Sequence, residues 1–157
     1  SGDEFAVVLT EMASFERALA TVRRDDQVER LCVPFDELPR DIEEGRVMRN
    51  AGFVRTAFEH DVVETHASFN AGDDVSTVPH APAQWLVGAF FDEVSVVPCP
   101  DAIGAAWDQL ADGAKSASAL IERIDRELGN IPPGWPADGA SWLRQLLRAG
   151  AIGWTAR

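Results

Sequence analysis

The sequence predicts an α+β fold, in which a mainly helical N-terminal section is followed by a winged-helix-like section of short antiparallel strands and three helices. Two observations predict this class. Apolar residues recur at the three- and four-residue spacing of helices in several segments of the 157-residue chain. Residues 84–91 and 94–97 instead form two short apolar runs joined by a tight turn at residues 92–93, a pattern typical of a hairpin.

Turn-forming residues divide the chain near its middle. Residues 70–74 (NAGDD) and 78–82 (VPHAP) are rich in the Asn, Gly, Asp and Pro residues that favour turns. We therefore place an N-terminal section at 1–72 and the winged-helix-like section at 73–157. A chain of this length is expected to form one domain, or two halves that share a core.

In the N-terminal section, residues 5–9 are apolar and partly β-branched and are expected to form a short strand. Ser14 is a candidate N-cap for a following helix. Residues 31–35 are expected to form an edge strand or a loop, because the proline among them has no amide hydrogen. Gly45 is a predicted helix stop, and helical spacing predicts a further helix within residues 47–63. The apolar face of the helix after Ser14 would comprise Phe15, Ala18, Leu19 and Val22.

In the C-terminal section, three helices are expected after the hairpin. Residues 130–136 (NIPPGWP) would form a rigid loop before the third helix, and a last strand would follow it at 151–155. The residues expected to begin or end these helices are Asp101, Asp112, Gly113, Ser116 or Ser118, and Gly150. The apolar residues at helical spacing are Ile103, Ala106, Trp107 and Leu110, then Leu120, Ile121, Ile124 and Leu128, then Trp142, Leu143, Leu146 and Leu147.

Acidic residues dominate the chain and are unevenly distributed. The formal net charge is −12; residues 1–113 carry 8 basic and 22 acidic side chains, whereas residues 114–157 carry 6 basic and 4 acidic ones. Nucleic-acid affinity depends on neutralising phosphates, so we expect no nucleic-acid partner. No apolar run approaches the ~20 residues of a membrane span. We expect a cytoplasmic protein without a membrane partner, in which Cys32 and Cys99 are ordinary thiols.

Few residues are suited to catalysis. The chain has no Tyr and three His, and it contains neither a Ser in a nucleophile elbow nor a phosphate-binding Gly-rich loop. On a helix, His60 and Glu64 would share a face as metal ligands do, with His80 as a third ligand. We favour the interpretation that these are polar surface residues, and we expect no catalytic residue, no metal and no cofactor.

The first residues, SGDEF, resemble the GGDEF signature of diguanylate cyclases. Ser1 stands in place of the first glycine, and the residues after Val22 do not continue that family's pattern. We therefore do not expect a cyclase, and interpret the segment as a polar lead into the predicted first strand.

Three C-terminal segments match a family pattern: AIGAAWDQLADG, ASALIERIDREL and WLRQLLRAGAIGW. With the preceding proline-terminated strand, they resemble the PqqD-like peptide chaperones, also called RiPP recognition elements, over residues 84–157. The chain departs from that family in lacking a Thr two residues after the Asp-Gly pair and in adding residues 130–136. The resemblance implies that the domain binds the leader of a ribosomally made precursor peptide as an added β-strand.

The resemblance places the peptide between the hairpin and the third helix. Arg144 and Arg148 stand one helical turn apart and would grip acidic leader residues, although such residues more often form a solvated helix face. Trp135, between prolines in a loop, is the candidate partner contact, whereas most of the five tryptophans are expected in the core. The residues expected to bind the peptide are Trp85, Val87, Val94, Val96, Leu143, Arg144, Leu147 and Arg148.

The predicted function is that of a non-catalytic accessory subunit, which binds a precursor peptide and presents it to a peptide-modifying enzyme. The resemblance implies that the N-terminal section, residues 1–72, is the surface that docks this enzyme. Biosynthesis of methanobactin-type metallophores is one such case. Two alternatives stay open. The chain is an acidic inhibitor or immunity-type protein that covers a basic partner, or it is a metal-dependent enzyme that uses His60 and Glu64.

Overall fold

The computed structural model describes residues 2–22, 28, 30, 37–75, 77–91 and 93–156. Within these residues the fold is α+β and winged-helix-like, with five α-helices and two three-stranded antiparallel sheets, which confirms the predicted class. In chain order the elements are α1 (Gly2–Thr21), β1 (Gly45–Arg49), β2 (Val54–His60), α2 (Val62–Asn70), β3 (His80–Phe90), β4 (Glu93–Pro98), α3 (Asp101–Gln109), β5 (Lys115–Ser116), α4 (Ala117–Glu127), α5 (Gly139–Arg148) and β6 (Ile152–Ala156).

One sheet, here called the central sheet, has the strand order β2–β3–β4. β3 and β4 are the predicted hairpin, in which Leu86 lies opposite Val97; position 92 of its turn lies outside the described residues. β3 begins at His80 and not at the predicted residue 84, so the break predicted over residues 70–82 is shorter than expected. The register of β2 and β3 shifts between Phe58 and His60, beside a proline that cannot donate an amide hydrogen to the ladder.

The second sheet, here called the wing sheet, has the order β5–β1–β6. β1 pairs with both neighbours, and Arg49 lies opposite Ile152 across about a hundred residues of sequence. Each sheet therefore combines strands from residues 1–72 with strands from residues 73–157. The two predicted sections share their sheets.

The helix predicted within residues 47–63 is wrong, because that range holds most of β1 and all of β2. The turn between these strands is built around Asn50, whose side chain is fully buried. Its Oδ1 accepts from the Gly52 amide at 2.8 Å, and its Nδ2 donates to the Gly150 carbonyl at 3.0 Å. The spacing of apolar residues here fits the period of a helix as well as that of a strand. Pairing with distant strands decides in favour of strands.

The segment before β1 is anchored to the wing sheet and to α5. Residues 31–35 lie outside the described residues, and Ile42–Glu44 form a single 3-10 turn that ends at Gly45. A Cβ atom on Gly45 would overlap the Trp154 ring, so this close approach requires glycine. The Trp154 indole donates to the Ile42 carbonyl at 2.9 Å, which holds the turn against β6.

The strand predicted at residues 5–9 is also wrong, because these residues belong to α1. Ser14 lies inside this helix and is not its N-cap. Asp3 and Glu4 occupy the first turn, where acidic side chains stabilise the positive end of the helix dipole. Helix formation also carries Phe15 onto the central sheet, where it is 3% exposed.

The three C-terminal helices are confirmed as α3, α4 and α5. Ser116 caps α4, and its hydroxyl accepts from the Ala119 amide at 3.5 Å. Asp101 is the first residue of α3 and not its cap, which is Pro100. Gly150 ends α5 with a φ of 76°, in the left-handed region that favours glycine.

Two apolar clusters lie on opposite faces of the central sheet. The main core gathers α3, α4, α5 and the wing sheet against the face that carries Leu86 and Val97. The second cluster, here called the α1 layer, packs Phe15 of α1 against Phe58, Val62 and Val87 on the other face.

Candidate functional site

The residues predicted to bind peptide fall into two groups that the structure does not bring together. Trp85, Val87 and Val96 lie on the sheet face covered by the α1 layer. Leu143 and Leu147 are 1% and 4% exposed in the main core, on the other side of the sheet. A single peptide therefore cannot contact both groups without opening the core.

The two arginines predicted to grip the peptide both lie on α5. Arg144 donates to the carbonyls of Pro39 and Arg40, each at 2.6 Å, so its guanidinium anchors the chain that precedes β1. Arg148 is exposed in the last turn of α5. The structure gives Arg144 a structural role that its sequence position did not reveal, since the two carbonyls lie about a hundred residues away.

The edge predicted at residues 84–97 is restricted to β4, because β3 lies between two strands. The Cys99 amide donates to the Gln84 carbonyl at 2.8 Å. Hydrogen-bonded pairs alternate along an antiparallel ladder, so Ser95 directs its backbone groups toward β3, whereas Val94 and Val96 direct theirs outward. In the described part of the chain nothing hydrogen-bonds to these outward groups.

Between its end residues Glu93 and Pro98, the outer edge of β4 also lacks the usual protection of sheet edges. Native proteins guard such edges with Lys, Pro, bulges or a covering element. Between Glu93 and Pro98 the strand carries only Val and Ser, and the Val94 side chain is 53% exposed. An unpaired, apolar strand of this kind is the local geometry that accepts a further strand.

The outer edge of β2, on the opposite side of the sheet, is partly guarded. The Glu59 amide donates to Glu11 Oε1 at 2.5 Å, and the Arg55 side chain pairs with Asp108 at 3.0 Å. The Gln84 backbone groups point toward β4, so Ala57, which lies opposite Gln84 on β2, directs its amide and carbonyl outward. Among the residues that the structure describes, these Ala57 groups have no hydrogen-bond partner.

Trp135, the predicted partner contact, lies between two adjoining grooves. The larger groove has a volume of about 660 Å³ and borders the ends of β2 and β3 near Ala57 and Gln84. The smaller groove, of about 360 Å³, follows the loop after α4. The half-buried Trp135 ring packs edge-on against Trp142 at 6.1 Å, which fixes it as a wall shared by both grooves.

All three histidines lie around α1 and the end of β2. His60 ends β2 and is 5% exposed, and its Nδ1 lies 2.7 Å from Glu11 Oε2. Its ring meets the His80 ring edge-on at 5.3 Å, and His66 meets the Phe15 ring in the same way. Glu11 was not predicted as a partner of His60, because the helix that carries Glu11 was predicted to begin only after Ser14.

This geometry does not reproduce the arrangement expected of metal ligands. His60 lies on a strand and Glu64 is an exposed residue of α2, so the shared helix face predicted for them is wrong. Across the described residues, no group of three or more His, Cys, Asp or Glu side chains is placed to hold a metal ion.

Cys99 closes the floor of the larger groove. Its side chain is fully buried, and this burial raises the pKa of the thiol to about 11, although the nearby Arg55 charge acts in the opposite direction. The thiol is therefore neutral at physiological pH, when a nucleophilic cysteine would be a thiolate. Cys32 lies outside the described residues.

No protein-family model matches the chain, and a search of curated proteins found no relative. In the part of the chain that is described, none of the helices combines the length and the apolar character that crossing a membrane requires.

Proposed function

We propose that this chain is a non-catalytic, cytoplasmic partner protein that binds a precursor peptide by strand addition and presents it to a peptide-modifying enzyme. The observation that carries this proposal is the outer edge of β4, where the backbone groups of Val94 and Val96 point outward without a partner. A leader peptide would add a fourth strand to the central sheet. Metallophore biosynthesis of the methanobactin type is one case of such a partner protein.

Hydrogen bonds alone do not account for such binding. An added strand would form about four of them with Val94 and Val96, at about 0.5–1.5 kcal/mol each. Association costs at least about 4 kcal/mol in lost translational and rotational freedom. Burial of apolar peptide side chains must therefore contribute, and the exposed Val94 side chain is the surface that offers it.

The succession of the β3–β4 hairpin and three helices supports the same proposal, since it is the order that the family resemblance implies. The third helix has a different role from the one expected. Leu143 and Leu147 belong to the core and Arg144 is bound to backbone carbonyls, so recognition is assigned to the strand edge.

Titration calorimetry tests the proposal directly. The probes are overlapping synthetic peptides from any short precursor peptide encoded beside this gene, together with any peptide-modifying enzyme encoded there. We expect one peptide to bind, and Val94→Pro to weaken it at least about tenfold, because proline removes an outward amide and obstructs the edge. The matched control is Ala57→Pro, which removes an outward amide from the opposite edge.

Equal affinity of the wild-type and Val94→Pro proteins would contradict the assignment to β4. Absence of heat with every peptide and with the enzyme would contradict the function itself.

A further inference from the structure

We propose that the groove beside β2 is a second binding site, which takes an arginine side chain from an extended segment of a partner protein. Neither the strand-addition proposal nor the family resemblance assigns this site. Four kinds of observation carry it: the shape of the groove, its charge, the backbone groups at its margin and the orientation of Trp135.

The shape fits a side chain together with its neighbouring residues. The grooves of about 660 and 360 Å³ share the wall formed by Pro132 and Trp135. Binding sites for small groups usually enclose about 300–1,000 Å³ and combine apolar walls with a few polar groups. Here proline, alanine and tryptophan side chains supply much of the apolar wall, and carboxylates stand at its rim.

The charge of the two grooves is entirely negative. Glu59, Asp101 and Glu127 line them, and neither groove is lined by a lysine or an arginine among the described residues. Glu127 pairs with Arg123 at 3.0 Å, and Asp101 accepts a hydrogen bond from the neutral Gln84 amide at 3.0 Å. Glu59 and Asp101 therefore remain without a cationic partner in the described part of the chain, and the complementary ligand is cationic.

The margin of the larger groove offers main-chain hydrogen bonds. The outward amide and carbonyl of Ala57 lie beside Glu59 on the open edge of β2. An extended segment can pair with this residue while one of its side chains enters the groove. This feature favours a protein segment over a free small cation.

The aromatic wall favours arginine over lysine. A guanidinium is planar, stacks on an indole face and forms two parallel hydrogen bonds with one carboxylate. Trp135 is fixed by its edge-on contact with Trp142, so its ring position is set before any ligand arrives. Glu59 and Asp101 line the same groove and can accept the guanidinium hydrogens.

The two sites can be occupied together. β2 and β4 are the outer strands of one three-stranded sheet, about 10 Å apart at the ordinary strand spacing. A leader strand on β4 and an arginine-bearing segment on β2 would not overlap. The central sheet would then join a peptide to the protein that acts on it.

The test uses the whole chain and three capped pentapeptides, Ala-Leu-X-Leu-Ala, in which X is arginine, lysine or citrulline. Binding is followed by NMR through the backbone amide signals of Ala57, Glu59 and Asp101, which line the groove and are present in every variant. We expect the arginine peptide to bind in the millimolar range or tighter. Citrulline has the same shape without charge and should bind at least about fivefold more weakly, because charge-assisted hydrogen bonds are about twice as strong as neutral ones.

Variants locate the site. Glu59→Gln and Trp135→Ala should each weaken the arginine peptide at least about threefold, whereas Glu122→Gln, an exposed carboxylate of α4 outside both grooves, should leave it unchanged. Trp135→Phe replaces Trp135→Ala if the latter does not fold. Equal binding of the arginine and citrulline peptides, an effect of Glu122→Gln as large as that of Glu59→Gln, or no binding at millimolar concentration would each overturn the proposal.

Discussion

The two faces of the central sheet are covered very differently. In the described part of the chain the main core holds 19 buried apolar residues from three helices and both sheets, whereas the α1 layer holds four. The first half of α1 extends past this layer with Phe5 66% and Leu9 52% exposed. Local stability follows the number of buried contacts, so the main core should set global stability and the α1 layer should open separately.

Leu143→Ala should have the largest effect on stability. Leu143 is 1% exposed, and removing a buried leucine side chain leaves a cavity that costs about 2–5 kcal/mol of unfolding free energy. Urea denaturation measures this cost, and Leu9→Ala, at an exposed leucine of α1, is the matched control. A cost below about 1 kcal/mol would mean that Leu143 faces solvent as a peptide contact would.

Phe15→Ala should separate the two faces. The Phe15 ring packs edge-on against the Phe58 ring, with a centroid distance of 5.9 Å. Phe15 is the buried residue through which α1 contacts the sheet. We expect a cost of about 3 kcal/mol that falls on the docking of α1. Amide hydrogen exchange should accelerate in α1 and α2 while α3, α4 and α5 keep their protection. Uniform acceleration in all five helices would show that the two clusters unfold as one unit.

Cys99 makes the stability of the main core depend on alkaline pH. The folded state raises the pKa of this thiol from 9.0 to about 11, so its stabilising contribution is complete below pH 9 and is lost as pH rises through 11. A pKa difference of two units between the folded and unfolded states corresponds to about 2–3 kcal/mol of unfolding free energy. The chain has no tyrosine and a single lysine, so few other groups titrate in this window.

Denaturation midpoints between pH 8 and 11 check this effect in a Cys32→Ser background. Cys99→Ala should reduce the fall of the denaturation midpoint with rising pH. An equally steep decline without the Cys99 thiol would assign it to another group.

Glu11→Gln should have the smallest effect of the four, at about 1–2 kcal/mol. The change removes the charge from the contact with His60 but keeps an acceptor for the Glu59 amide. The control is Glu16→Gln, since Glu16 is 66% exposed and lies 3.8 Å from His66. Thermal denaturation of both variants at neutral pH measures the difference. Equal losses of stability in the two variants would show that the Glu11–His60 contact does not stabilise the docking of α1.

The sequence predicted the elements whose cores are built from nearby residues. In α3, α4 and α5 the apolar period, the Ser116 cap and the left-handed Gly150 act locally and agree with one another. β1 and β2 were predicted as a helix because their pairing partners lie far along the chain; Gly45 lies opposite Ala156. Residues 5–9 were predicted as a strand for a related reason. Their helical state depends on the packing of Phe15 of α1 against the sheet, which no local pattern shows.

The candidate sites divide in the same way. The hairpin pattern led to the β4 edge, and the proline-flanked position of Trp135 led to the groove wall that it now occupies in the fold. The role of Ala57 could not be predicted, because it depends on β2 being an outer strand. The buried positions of Leu143 and Leu147 could not be separated from a peptide-binding surface by helical period alone, since both arrangements require an apolar stripe.

Amide hydrogen exchange at Val94 and Val96, with and without a saturating leader peptide, tests the central claim most directly. In the free protein both amides point outward and should exchange quickly. A peptide that adds as a fourth strand should slow both at least about tenfold, because each amide then donates to the peptide, while the Ala57 amide on the opposite edge keeps its rate. Unchanged rates at Val94 and Val96 in a protein that demonstrably binds the peptide would contradict strand addition at β4.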